Sequence, residues 1–161
     1  MKLIHINAEL FAKVRNTHVK AIIVGTDGSE GAERAVMVAA DLAKAIDGRL
    51  LLVNVSQSGL SQEQLRTIDR LQIAEGDALE GVSDRILAKA DVLARARGAV
   101  KVETIRWAGD PAEALIKVAK DEHADALVVG RRGLGQLKGL LLGSVSQKLA
   151  SLAPCVVIIV P

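Results

Sequence analysis

The sequence predicts an α/β domain built on an open parallel β-sheet with helices on both faces, and three observations support this. Short apolar runs alternate with segments of helical periodicity along the whole chain. The first run, "AIIVG", is continuously apolar, which is typical of a strand that is buried on both faces. With 161 residues, half of them apolar, the chain has the size of about one domain and can bury a sizeable core without disulfides or metal. Alternating strands and helices indicate a parallel sheet with right-handed crossovers.

The first two strands and the helix between them have separate signals. The apolar run of strand one ends at the turn "GTDGSE", and "RLLLVNVS" is strand two. Between them, apolar residues recur at helical spacing, and we expect this helix to stop at Gly48. The residues expected on its buried side are Ala35, Val38, Ala39, Leu42 and Ile46.

The middle of the chain predicts a helical stretch followed by an edge strand. Residues 61–98 are helical in composition, with Gly76 and Gly81 as expected breaks and Gly98 as the C-terminal stop. "VKVETIRW" is strand three, in which Val100, Val102, Thr104 and Arg106 alternate with Lys101, Glu103, Ile105 and Trp107. Because this alternation is imperfect in polarity, it suits an edge of the sheet.

The clearest helix start in the chain lies in "GDPAEALIKVAKDEHA". Asp110 can cap the first amides, Pro111 fits the first helical position, and Glu113 completes a capping-box pattern. "DALVVG" is then strand four, a glycine-rich segment opens helix four, and "CVVIIV" is strand five.

Composition excludes several classes of function. The chain has 21 basic and 19 acidic residues, a formal charge of +2, which argues against an electrostatic nucleic-acid binder. One Trp, one Phe and no Tyr cannot form a stacking platform for single-stranded bases. Cys155 lies in an apolar run and is expected to be a buried thiol. No apolar run reaches the roughly 18 residues of a membrane span and the start lacks a signal-peptide pattern, so we expect a cytoplasmic protein.

Two segments at predicted strand ends have unusual chemistry. Asp27 follows strand one in "GTDGS", and "GRRGLGQLKGLLLGSVSQKL" follows strand four. In an open parallel sheet, ligands bind beyond the carboxyl ends of the strands. Gly130 and Gly133 would let main-chain amides approach an anion, and the helix beginning at Gly143 and Ser144 would offer free N–H groups, with hydroxyl donors from Ser144 and Ser146.

From spacing alone, two interpretations stay open. The segments form a phosphate site, or the glycines are ordinary turn residues and Ser144 an ordinary N-cap. The chain has no G-x-x-x-x-G-K-[ST] and no G-x-G-x-x-G after strand one, so neither standard phosphate motif applies.

The same segments resemble the universal stress protein family, of the ATP-binding kind. "IIVGTDGSEGAERA" is similar to the first strand and turn of that family, and "GDPAEALIKVAKDEHADALVVGRRG" to its third helix and fourth strand. The family signature G-2x-G-9x-G-[S/T] is matched by Gly130, Gly133, Gly143 and Ser144. The likeness covers about residues 19–160, so residues 19–161 are expected to form the family domain and residues 1–18 an N-terminal extension.

This resemblance implies a doubly wound sheet in the order 3-2-1-4-5 and an adenine-nucleotide site. Asp27 and Val55 would contact the nucleoside, and the glycine signature would surround the ribose and phosphates. ATP is the expected ligand, with AMP or ADP as alternatives, and Mg or Mn would bridge phosphate oxygens. Arg131 is expected either to reach phosphates or to face solvent, and Asn54 is assigned no role. The full set of expected nucleotide-binding residues is Gly25, Thr26, Asp27, Val53, Val55, Gly130, Arg131, Gly133, Gly143, Ser144, Val145 and Ser146.

Three functions follow from the resemblance. The first is a homodimeric, nucleotide-dependent regulatory module that pairs through strand 155–160 and acts on protein partners of unknown identity. The second is a slow ATP hydrolase or phosphotransferase that uses the same crevice. The third is a nucleotide-free dimeric scaffold. No residue stands out as a catalytic base or metal ligand, so the sequence favours the first.

Overall fold

The computed structural model describes residues 21–56, 75–134 and 141–161, with side chains described from residue 81 in the second range. The expected extension 1–18 and part of the helical stretch 61–98 therefore lie outside the described residues. Strands and helices alternate through the described ranges as predicted. They are β1 (Ala21–Gly25), α1 (Glu30–Ala45), β2 (Arg49–Ser56), α2 (Glu75–Ala96), β3 (Val102–Ala108), α3 (Pro111–Asp121), β4 (Ala126–Gly130), α4 (Ser144–Leu152) and β5 (Val156–Val160).

The strands form one five-stranded sheet in the order β3-β2-β1-β4-β5, and every pair is parallel. This confirms the predicted fold class and strand order. Val24 of β1 is in register with Leu52 of β2 on one side and with Val128 of β4 on the other. The chain moves outward from β1 to β3 and then returns to β4, so the strand order reverses between β1 and β4. A ligand crevice is expected at this switch point.

Two apolar clusters cover the two faces of the sheet. Ile22 and Val24 face α1 and α2, whereas Ile23 between them faces α3 and α4, and all three are at most 2% exposed. The expectation that strand one is buried on both faces is therefore confirmed. Cys155 lies in the second cluster as a free thiol. Burial, and then the charge of Asp125, raise the pKa of that thiol to about 11, so it stays protonated at neutral pH.

Helix α1 ends earlier than predicted. Its last residue is Ala45, and Ile46 is the C-cap with 39% of its surface exposed, so Ile46 is not part of the buried side. Asp47, not Gly48, takes the positive φ that ends the helix. The buried face consists mainly of alanines, because their small side chains let α1 pack closely against β1 and β4: Ala32, Ala35, Val36, Ala39, Ala40 and Ala43.

The predicted helix break at Gly81 is wrong, because helix α2 runs through this position and ends at Ala96, with Gly98 following at φ +98 as predicted. Gly76 is the second residue of α2 and the residues before Glu75 lie outside the described ranges, so the break at Gly76 stays a prediction. A glycine inside a helix costs up to about 1 kcal/mol relative to alanine, which tertiary packing of the other residues offsets. The packing that holds α2 on the sheet comes from Leu87, Ala90 and Ala94 in the first cluster.

Strand β3 is an edge of the sheet, as predicted. Val102 packs toward the first cluster, and Ile105 and Trp107 pack toward the second, so its side chains alternate between the faces. Val100 precedes the strand and is 78% exposed, so it does not belong to this alternation. Among the described helices, none combines the length and the apolar character that a membrane crossing needs.

Candidate functional site

Two turns meet at the carboxyl ends of β1 and β4. Asp27, in the turn after β1, accepts a hydrogen bond from the amide of Leu134 at 3.0 Å, although 107 positions separate them. Its other carboxylate oxygen accepts from the amide of Ser29 at 3.0 Å. The structure therefore brings Asp27 and the glycine loop after β4 to one place, as predicted from the strand order.

Close packing explains three of the glycines at this place, two against main-chain atoms and one against a side chain. A Cβ on Gly130 would lie 2.7 Å from the carbonyl carbon of Gly31, and one on Gly31 would lie 2.8 Å from the carbonyl oxygen of Arg132. The first turn of α1 thus packs directly on the end of β4 and the loop that follows. A Cβ on Gly133 would overlap the carboxylate of Asp27. Packing therefore requires glycine at these positions as much as a bound ligand would.

The start of α4 differs from the starts of α1 and α3. Ser29 and Asp110 cap those two helices through side-chain oxygens, and acidic residues follow in their first turns. At α4 the N-cap is Gly143, which has no side chain to cap with, and the first turn has no acidic residue. Ser144 is the first helical residue rather than the N-cap that the sequence allowed. The first amides of α4 and the positive end of its dipole therefore remain suited to an anion.

Hydrogen bonds hold the first residue after β4 to the start of α4. The hydroxyl of Ser146 lies 2.9 Å from the carbonyl oxygen of Arg131 and 3.0 Å from that of Gly143, and Ser146 is 2% exposed. The amide of Gly143 also donates to Arg131 O at 2.9 Å. These bonds direct the carbonyl oxygens of Arg131 and Gly143 toward the buried Ser146 hydroxyl. The buried Ser146 hydroxyl therefore acts by bonding main-chain carbonyl oxygens. Ser144 and Arg131, by contrast, are exposed at the surface of the site.

The β1–β2 side of the site is fixed by a second set of bonds. The amide of Thr26 donates to the carbonyl of Val53 at 2.9 Å, and the Asn54 side-chain amide donates to the carbonyl of Thr26 at 2.7 Å. The Val53 side chain is 0% exposed and belongs to the second apolar cluster, so it offers a ligand no contact surface. Val55, at the end of the same strand, is half-buried.

Two more of the expected site residues have packing roles. A Cβ on Gly25 would lie 2.8 Å from the side chain of Leu115, so this glycine lets α3 pack against β1. Val145 is half-buried against the second cluster. Within the residues that the structure describes, no group of three or more His, Cys, Asp or Glu side chains is arranged to hold a metal ion.

Charged residues connect the two helices on the α4 face of the sheet. Lys148 of α4 contacts Asp110 at 3.3 Å and Glu113 at 3.4 Å. The pKa of Asp110 is lowered, first by the hydrogen bond from the Glu113 amide and then by Lys148, while Asp110 in turn raises the pKa of Lys148. Lys148, in the middle of α4, thus joins that helix to the start of α3.

Sequence reasoning missed Gly31 and Asn54. No local pattern marks Gly31, because its role depends on a loop about 100 residues away. Asn54 did carry a signal, since it is a polar residue inside the apolar run of β2 and is 4% exposed. A buried amide of this kind needs partners, and the partner is the turn that carries Asp27.

The fold and the site together define an open, doubly wound α/β protein with its candidate ligand crevice at the switch point between β1 and β4. The family model described as "Universal stress protein family" matches residues 18–161. The chain belongs to the universal stress protein family.

Similar proteins agree with this assignment. A universal stress protein of Thermus aquaticus is 36% identical over 148 residues, covering 88% of this chain and 98% of that protein. One of Mycobacterium tuberculosis is 38% identical over 143 residues, covering 88% and 95%. A crystal structure of a universal stress protein in complex with cAMP has a TM-score of 0.66 and 30% identity, covering 89% of this chain and 98% of that one. A universal stress protein from Lactobacillus plantarum shares the fold, with a TM-score of 0.74, 21% identity and coverage of 91% and 100%.

Proposed function

We propose that this protein is an adenine-nucleotide-binding regulatory module, with ATP as the ligand. The observation that carries the proposal is the start of α4, where main-chain amides without a side-chain cap lie at the switch point of the sheet. Such amides suit phosphate oxygens, since a helix N-terminus combines free donors with a favourable dipole. The relative that was solved in complex with cAMP supports an adenine nucleotide as the class of ligand.

The described residues fit such a ligand in two parts. Ser144 and Val145 would present amides to the phosphates, Gly143 would let the phosphates approach because it has no side chain, and the exposed Arg131 side chain would lie beside them. Asp27 and Val55, at the ends of neighbouring strands, would contact the nucleoside. Gly130, Gly133 and Ser146 would act by shaping the loop, as their contacts indicate. Thr26, Gly25 and Val53 would contribute through the main chain or through packing.

A divalent cation, Mg or Mn, would bind with the nucleotide. Mg commonly keeps water and phosphate oxygens as ligands and takes few from the protein. We propose that the phosphate oxygens of the nucleotide would hold this cation, which would neutralise part of the negative charge of the phosphates.

An enzymatic use of the same crevice, as a slow hydrolase or phosphotransferase, is the second candidate. It needs a base or water-orienting group near the terminal phosphate. His123 lies in the turn before β4, at the amino ends of the strands and away from the crevice. His5 and His18 lie outside the described residues. We therefore propose binding with a regulatory outcome, in which nucleotide state alters association with other proteins.

We also propose that the protein is a homodimer paired through the 155–160 strand. β5 is an edge of the sheet, and its residues are all apolar. Uncovered edges of this composition are prone to pair with other chains, and a symmetric dimer covers them.

The first experiment is to denature the purified protein and identify the released small molecules by chromatography and mass spectrometry. We expect an adenine nucleotide in near-stoichiometric amount, or tight binding of added Mg-ATP by calorimetry if the protein is purified empty. Released ADP, together with steady ATP turnover above roughly 1 per second, would favour the enzyme. An empty protein that does not bind Mg-ATP would contradict the proposal and favour the nucleotide-free scaffold.

A further inference from the structure

After Gly25, the last residue of β1 that pairs with β2, a side chain of β2 holds the main chain in place. The parallel register of β1 and β2 ends at Gly25 and Val53. The next residue, Thr26, donates its amide to Val53 O, and its carbonyl accepts from Asn54 Nδ2 at 2.7 Å. Asn54 and Thr26 are 4% and 6% exposed. The bond between them is therefore shielded from water and fixes the direction in which the chain leaves the sheet.

The turn that follows leaves little freedom for Asp27. The amide of Gly28, at φ +80, lies 3.4 Å from the hydroxyl of Thr26, and the amide of Ser29 donates to Asp27 Oδ1. Only Asp27 Oδ2 extends across the crevice, where it accepts from the amide of Leu134. The position of this oxygen thus depends on Thr26, and the position of Thr26 depends on Asn54.

We propose that Asn54 is a positioning residue of the nucleotide site, acting through the main chain of Thr26 to hold the Asp27 carboxylate against the loop after β4. This inference rests on the proposed function for its ligand, and on the contacts above for its geometry. Removing the Asn54 amide leaves the buried Thr26 carbonyl without that donor, and such a group regains a partner by moving toward water. Asp27 would move with it.

The test compares Asn54→Leu, which has a similar size but no donor, with Asp27→Ala, the double variant and the wild type. The first measurement is the hydrogen-exchange rate of the Leu134 amide by NMR, without nucleotide. We expect Asn54→Leu to raise this rate about tenfold, because a hydrogen bond to a carboxylate is lost. The double variant should exchange no faster than Asp27→Ala. Ile22→Val, a core change at the other end of β1, is the control for lower stability and should leave the Leu134 rate unchanged.

The second measurement is the affinity for Mg-ATP by calorimetry. Asn54→Leu should bind about tenfold more weakly, with no further loss when it is added to Asp27→Ala. An unchanged Leu134 rate in Asn54→Leu, or losses of affinity that simply multiply, would overturn the inference. If the wild type binds no adenine nucleotide but the Leu134 rate still responds, the proposed function fails and the control of Asp27 by Asn54 stands.

Discussion

At the scale of single residues, Gly133 links the loop after β4 to Asp27. A methyl group at this position would overlap the Asp27 carboxylate, so Gly133→Ala has to displace it and break its bond to the Leu134 amide. The clash involves one half-buried side chain in the turn after β1 and not the apolar core, so the change should affect the site more than the fold. We expect the affinity for Mg-ATP, measured by calorimetry, to fall about tenfold.

Gly81→Ala is the matched control. A Cβ at Gly81 meets no atom within 4 Å, and the residue lies inside α2. Alanine there should leave nucleotide affinity unchanged and increase the free energy of unfolding by about 0.5–1 kcal/mol. Equal affinity in Gly133→Ala and the wild type would reject the assignment of Gly133 to the site.

At the scale of elements, α3 depends on its N-cap. Asp110 Oδ1 accepts from the amide of Glu113 at 2.9 Å and also contacts Lys148 of α4. We expect Asp110→Ala to lower the free energy of unfolding by about 1 kcal/mol at neutral pH. The pKa of Asp110 is lowered in the folded protein, so the ionised cap contributes fully above the ordinary value of 3.8. That contribution is lost as the pH falls through the lower, folded value.

Urea unfolding followed by circular dichroism, at neutral pH and below pH 3, measures this dependence. The difference between Asp110→Ala and the wild type should shrink in acid, and a constant difference would contradict the role of the charged form. Lys148→Ala separates the cap from the ion pair. Since both partners are exposed at the surface, its effect should be the smaller one and should weaken further in salt.

The elements were predictable to different extents for physical reasons. Strand patterns and the Asp110–Pro111 start are local, so the sequence determines them without knowledge of the fold. Gly81 was misinterpreted because a glycine lowers helix stability without ending a helix that packs well. In the site, the meeting of Asp27 with the glycine loop followed from strand order. The bond from Asn54 to Thr26 did not, because it depends on which buried groups face each other after folding.

At the scale of the whole molecule, the two sheet edges differ. β3 carries charged residues such as Glu103 and Arg106, which oppose pairing with another strand, whereas β5 carries none. On β5 the amide of Val156 donates to Asp125 of the preceding turn, so by alternation the amides of Val157 and Ile159 point away from β4. Among the described residues no backbone group is bonded to these outward amides, so we expect a second copy of the chain to pair with them.

Ile159→Pro tests this arrangement, because proline removes one outward donor and leaves the bonds to β4 in place. We expect sedimentation to find the wild type dimeric, as proposed, and the variant monomeric at the same concentrations. Two controls isolate the donor. Ile159→Ala shortens the side chain but keeps the amide, and Thr104→Pro removes an outward amide from the β3 edge, since by the same alternation Glu103 donates to β2. Both should remain dimers. A dimeric Ile159→Pro, or a monomeric Thr104→Pro, would show that the copies do not pair through β5.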